Sequence, residues 1–113
     1  MTRSTPPWGY WEVLLDESYC KVKRVAVMPG HRLSYQKHFK RYETWVIVAG
    51  TATVTLNGHC TEHQVGEIIR IPVEAEHRIA NQGTETLILI EVQQGSYFGE
   101  DDIVRLEDDY ARS

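Results

Sequence analysis

Pro29-Gly30-His31-Arg32-Leu33-Ser34-Tyr35-Gln36-Lys37-His38-Phe39-Lys40-Arg41-Tyr42-Glu43 is the stretch that decides how this chain is read. Gln36 and His38 are two positions apart, so on a strand their side chains leave the same face. Glu43 follows a turn through Phe39–Tyr42 and can return on an adjoining strand. Amide oxygen, imidazole nitrogen and carboxylate oxygen together suit a hard or borderline divalent ion. His77, just past a loop containing Pro72, offers a fourth donor. Taken singly, a strand histidine is more often structural. Donors on separate strands reach one ion only if the strands curl, so ligation and a barrel form one hypothesis.

Strand signals extend in both directions. Tyr10–Leu15 and Tyr19–Met28 are rich in β-branched and aromatic residues, around a polar Asp16-Glu17-Ser18 turn. Thr44–Ala49 is nearly continuously apolar, which predicts a strand covered on both sides. Thr51–Leu56 alternates Ala52, Val54 and Leu56 with threonines, a half-buried pattern. Asn57-Gly58 predicts a tight hairpin, because both turn positions need positive φ. Glu67–Ile71, His77–Asn81 and Thr86–Gln93 read as further strands, and no helical period precedes Gln93. Gly95–Ser113 is acid-rich, and Ile103, Val104, Leu106 and Tyr110 predict a turn plus a short helix docked on the body. Pro6-Pro7-Trp8-Gly9 predicts an N-terminal arm, since Trp8 and Trp11 are costly to leave in water. Short strands joined by Gly and Pro turns predict an all-β antiparallel sandwich or barrel.

Composition narrows the function classes. The 113 residues suffice for one domain, and 42% hydrophobic with 25% charged residues predicts a folded chain. A formal charge of −4 argues against nucleic acid or an anionic membrane as partner. No apolar run approaches the roughly 20 residues that span a bilayer. The first residues lack the apolar core of a signal peptide, so a cytoplasmic location is expected. Cys20 and Cys60 are too few for a disulfide framework and read as small, buried strand thiols.

The glycine and proline punctuation around the donors resembles the cupin family. Its first motif, G-x5-H-x-H-x4-E-x6-G, is similar to Gly30, Gln36, His38, Glu43 and Gly50, with glutamine for the first histidine. Its second, G-x5-P-x-G-x2-H-x3-N, is similar to Gly66, Pro72, Glu74, His77 and Asn81, with glutamate for the second glycine. The resemblance implies a double-stranded β-helix (a small jelly-roll barrel) over 1–113, with its core at about 19–94. It also implies a divalent metal held in the mouth by Gln36, His38, Glu43 and His77. Zinc is favoured; iron, manganese, cobalt and nickel also tolerate this set.

The Gln-His-Glu-His set resembles phosphomannose isomerases rather than three-His cupin oxygenases. Trp8-Gly9, Tyr19–Arg24, Pro29–Ser34, Thr44–Val46, Glu76–Arg78, Ile90–Gln93 and Tyr97–Tyr110 extend the likeness to type II mannose-6-phosphate isomerases over nearly the whole chain. In that family this segment usually follows a mannose-1-phosphate guanylyltransferase domain; here it is expected to stand alone. The resemblance implies interconversion of mannose 6-phosphate and fructose 6-phosphate through an enediol. A metal would polarise the sugar oxygens, and neutral Gln36 leaves Glu43 as the one anionic ligand, preserving Lewis acidity.

A general base is also required, for which Lys37, Lys40, His31 and Glu74 are candidates. Phosphate favours arginine, which brings in Arg78, Arg41 and Arg105. The chain departs from the pattern at Lys37, Phe39, Lys40 and Thr44, where the family carries histidines at several places, and at Glu74, which sets a carboxylate near the expected mouth. Those departures favour a rival, a non-catalytic cupin binding a sugar phosphate or nucleotide sugar. Gln36 argues against a third reading, an oxygenase. A homodimer is expected, with the Trp8 and Trp11 arm as one means of pairing.

Overall fold

The computed structural model describes residues 2–110, so Met1 and the end of the Gly95–Ser113 stretch lie outside the described residues. Its strands are β1 (Arg3–Ser4), β2 (Gly9–Asp16), β3 (Lys21–Val27), β4 (Tyr35–Lys37), β5 (Arg41–Ala49) and β6 (Ala52–Leu56). They continue as β7 (His59–His63), β8 (Ile68–Ile71), β9 (His77–Ala80), β10 (Leu87–Gly95) and β11 (Val104–Glu107). One antiparallel sheet runs β1-β2-β3-β10-β5-β8 and the other β11-β4-β9-β6-β7. Val25, Val27, Ile47, Leu87 and Leu89 of the first pack against Ala52, Val54 and Ile79 of the second.

Local chemistry accounts for the joints. Asn57 and Gly58 take φ of 47° and 83°, and β6 pairs with β7 from Leu56↔His59 outward, as the Asn-Gly signal requires. At Gly50 (φ 77°) a Cβ would stand 2.9 Å from the Thr86 carbonyl oxygen, so only glycine lets the β5–β6 turn lie this close to β10.

The inner face of the larger sheet changes character along the barrel. Leu89 lies opposite Val25 and Ile47; one pleat on, Glu91 lies opposite Lys23 and Trp45, and then Gln93 opposite Glu43. All of these are buried. One end of the barrel is therefore an apolar core, and the other is a closed set of charges that compensate one another.

Several expectations change. Thr44–Ala49 is covered on one side only: Trp45 and Ile47 are buried, while Val48 is 45% exposed. The C-terminal stretch forms a turn and strand β11 on β4 instead of a short helix, and no helix occurs among the described residues. None is thus long and apolar enough to cross a membrane. The backbone of β4 lacked a partner on that side, and β11 supplies the hydrogen bonds a helix could not. The N-terminal arm pairs β1 with β2 and buries Trp8 to 4% exposure in its own core, so Trp8 is not a surface for a second copy. Cys20 is buried, but Cys60 is exposed on β7, an edge strand with little to cover it.

Glu74, at the position of the family's loop glycine, is held at φ 65°. A side chain there is strained by roughly 1–2 kcal/mol, part of which glycine returns as lost chain entropy. Glu74→Gly is expected to stabilise the fold by up to about 1 kcal/mol, read as a higher urea midpoint at unchanged slope. Destabilisation would mean that Glu74 makes a contact worth more than its strain.

Candidate metal centre

β4 and β9 are neighbours, with Gln36 directly opposite His77, so their side chains share a face. His38 lies one residue past β4, in the turn before β5. Glu43 comes from β5 in the other sheet, so the donors meet across the barrel interior instead of along adjoining strands of one sheet. One ligand atom from each of His38, Glu43 and His77 lies within 4.8 Å of the others, and all three residues are buried. Gln36 lines the same cavity.

The donor chemistry fits a cation. His38 Nδ1 is 2.6 Å from the Asp102 carbonyl oxygen and His77 Nδ1 is 2.9 Å from that of Ala75. Each Nδ1–H donates to its carbonyl, which leaves Nε2 as the lone-pair nitrogen on both rings. The Arg41 guanidinium already makes use of this set: its Nε donates to Glu43 Oε2 at 2.9 Å, and Nη2 is 3.1 Å from His38 Nε2. Trp45 Nε1 donates to Glu43 Oε1 at 2.9 Å. Two buried polar atoms beside the site, Arg41 Nη1 and Gln93 Oε1, have no hydrogen-bond partner. Such groups are seldom left unsatisfied, and they mark a lining suited to a polar ligand.

The C-terminal turn holds the donors in place. Besides its carbonyl on His38, Asp102 accepts the amide protons of Phe39 and Lys40 at 3.2 and 2.9 Å. Asp102 therefore braces the turn that carries His38.

Placement separates the sequence candidates. Arg41, Arg78 and Arg105 line the cavity. Arg78 is anchored there by Leu33 O and Glu107. Lys37, Lys40, His31 and Glu74 do not line it. The Lys37 and Lys40 ammonium groups lie over Phe39 and Tyr97, His31 contacts Tyr110, and Glu74 is exposed in its loop. Sequence reasoning missed Lys23, Glu91 and Glu100, which also line the cavity. For the first two a signal existed. Lys23 is in step with Val25 and Val27, and Glu91 with Leu87 and Leu89, so each continues a buried face.

Burial, with the nearby Arg41 charge, pushes His38 down to about 4, which keeps the ring neutral. Burial, the largest influence, would raise Glu43, but the charges of Arg41 and His77 with the hydrogen bonds of Glu91 and Trp45 together outweigh it and hold the carboxyl below its ordinary value. Burial, and then the charge of Glu43, push Glu91 up to about 7.

His38 and Glu91 have opposite effects on stability. His38, ordinarily at 6.5, contributes fully above that value, and its contribution is lost as pH falls toward about 4. Glu91, ordinarily at 4.5, contributes fully below that value, and its contribution is lost as pH rises through about 7. Between these limits unfolding takes up a proton at one and releases one at the other. Metal-free Glu91→Gln should unmask His38, losing up to about 1.4 kcal/mol per pH unit on acidification from about pH 6 to 5. Urea unfolding with chelator present measures this, and a flat profile for the variant would contradict a neutral His38.

A two-sheet β-barrel with a His–Glu–His donor set in its polar end defines a cupin. The match to the mannose-6-phosphate isomerase C-terminal model runs over residues 2–108, and the chain belongs to that family. It is 48% identical over 106 residues to the mannose-1-phosphate guanylyltransferase ManC of Salmonella typhimurium, covering 94% of this chain but 22% of that protein. The chain thus spans about a fifth of that relative's length.

Among solved structures, a double-stranded β-helix protein from Klebsiella pneumoniae superposes with TM-score 0.75 at 24% identity, covering 85% of this chain and 77% of that one. A protein from Acidithiobacillus ferrooxidans, provisionally described as a sugar phosphate isomerase, gives TM-score 0.63 at 26% identity, covering 67% and 50%.

Proposed function

We propose that this domain is a divalent-metal-dependent aldose–ketose isomerase that interconverts mannose 6-phosphate and fructose 6-phosphate. The observation that carries the reading is the His38–Glu43–His77 convergence beside a basic, carboxylate-containing cavity, in a chain of this family. Gln36, His38, Glu43 and His77 would hold the ion, zinc before iron, manganese, cobalt or nickel, and when bound it would polarise the sugar carbonyl and hydroxyl.

The remaining steps belong to side chains. Glu91 presents a carboxylate to the cavity, steadied by Gln93 Nε2 at 2.7 Å, and takes the proton from one sugar carbon to return it to its neighbour. Trp45 packs edge-on against His77 at 5.8 Å and keeps water from the inner side of the donors.

The rival binding-module reading drew on Lys37, Phe39, Lys40 and Thr44. None of these lines the cavity, which supports the isomerase reading over the rival. A coupled assay for fructose 6-phosphate from mannose 6-phosphate, with metal content determined on the same sample, is expected to give metal-dependent turnover. Bound metal without turnover, under each of the metals named, would overturn the isomerase in favour of the binding module.

A further inference from the structure

We propose that Lys23 and Arg41 form an anion subsite at the barrel mouth, that the Glu100 carboxylate is its built-in occupant, and that a ligand phosphate takes its place. Lys23 Nζ donates to Glu100 Oε2 at 2.6 Å, while Arg41 Nη1 and Lys21 Nζ stand 3.7 and 3.9 Å from the same oxygen. Lys23 and Arg41 are about 95% buried, whereas the Glu100 side chain is 46% exposed. The cations are thus fixed in the wall, and the carboxylate reaches in from a surface turn.

Three cations thus converge on one carboxylate oxygen, Arg41 being shared with Glu43. Arg41 Nη1 is buried without a hydrogen-bond partner, although Nε and Nη2 of the same guanidinium are committed to Glu43 and His38. A phosphate has three acceptor oxygens to a carboxylate's two, and satisfies Lys23 Nζ and Arg41 Nη1 together. Space points the same way. The cavity is about 90 Å³, against roughly 300–1,000 Å³ for ordinary ligand sites. Displacing Glu100 enlarges it toward solvent without moving a strand.

The choice of a sugar phosphate as the phosphate's carrier rests on the isomerase reading; the subsite itself rests on the cations. The full chain is titrated with inorganic phosphate in chelator, following tryptophan fluorescence, because Lys23 lies 4.1 Å over the Trp11 ring. Saturable binding is expected, tightened about tenfold by Glu100→Gln, which removes the competing charge. Lys23→Met added to Glu100→Gln should reverse that gain at least tenfold.

Glu100 is half-exposed, so its substitution tests the idea without endangering the fold. If Glu100→Gln leaves phosphate affinity unchanged or weaker, or the double variant binds as tightly as Glu100→Gln, the subsite is refuted. Phosphate binding that obeys both variants in a chain with no mannose 6-phosphate turnover would sink the isomerase alone. Normal turnover with phosphate binding indifferent to both would sink the subsite alone.

Discussion

Replacing His77 with alanine is expected to reduce bound divalent metal to roughly a tenth of the wild-type content or less, and to abolish metal-dependent turnover. The ring is 2% exposed, its Nδ1 is tied to Ala75 O, and its Nε2 has nothing to do but accept. The variant removes a first-rank donor together with the carbonyl contact that orients it, and no nearby group replaces both. His38→Ala should behave alike, because its ring is held in the same way by Asp102 O. The phenotype must be separated from unfolding. Metal that binds only the native state at about 1,000 times its dissociation constant adds about 4 kcal/mol of stability. Wild type should therefore melt higher with metal than with chelator, and His77→Ala at one temperature in both. Phe39→Ala, which removes an exposed ring beside the same turn, should keep the full shift. Metal content unchanged in both histidine variants would mean that the donors have been misassigned.

What the chain disclosed in advance, and what it hid, follow from the range of the interactions. The convergence of His38, Glu43 and His77 was legible because the glycine and proline punctuation around them is a local pattern that needs no reference to the rest of the fold. The β6–β7 hairpin was legible for the same reason. Hidden were the features set by distant partners. Nothing near Val104 in sequence says that it pairs with Lys37, so an acid-rich, partly apolar tail reads as a helix. Lys23, Glu91 and Gln93 keep step with buried apolar neighbours, but a polar strand residue reads by default as solvent-facing; they are buried because they meet each other and Glu43 inside the barrel. The apolar run Thr44–Ala49 suggested two covered faces, whereas only Trp45 and Ile47 face the core and Val48 is largely exposed. In each case the outcome is decided by a partner strand or the opposite sheet, which the local sequence does not name.

Glu91→Gln is expected to lower kcat by about 10²–10⁴-fold, the usual worth of a general base, with metal content unchanged and KM altered only a few-fold. The argument is by commitment of groups. His38 and His77 each bind a backbone carbonyl at Nδ1 and turn Nε2 to the donor set. Both oxygens of Glu43 are taken, by Arg41 and Trp45. Lys23 is engaged with Glu100, and Arg78 with Leu33 and Glu107. Glu91 is held by Gln93 and Glu43 but, among the described residues, bound to no cation within hydrogen-bond distance, which suits it to carry a proton between two carbons. Glutamine preserves its volume and its ability to accept from Gln93. Stability should move the other way. Burial and Glu43 make a charged Glu91 costly, so its contribution is lost as pH rises through about 7. A neutral glutamine escapes that loss, and at about pH 8 the variant should be at least as stable as wild type. Slow turnover in a protein no less stable is the signature of a group placed for chemistry at the expense of packing. Should Glu91→Gln turn over at the wild-type rate, the proton carrier lies elsewhere in the mouth.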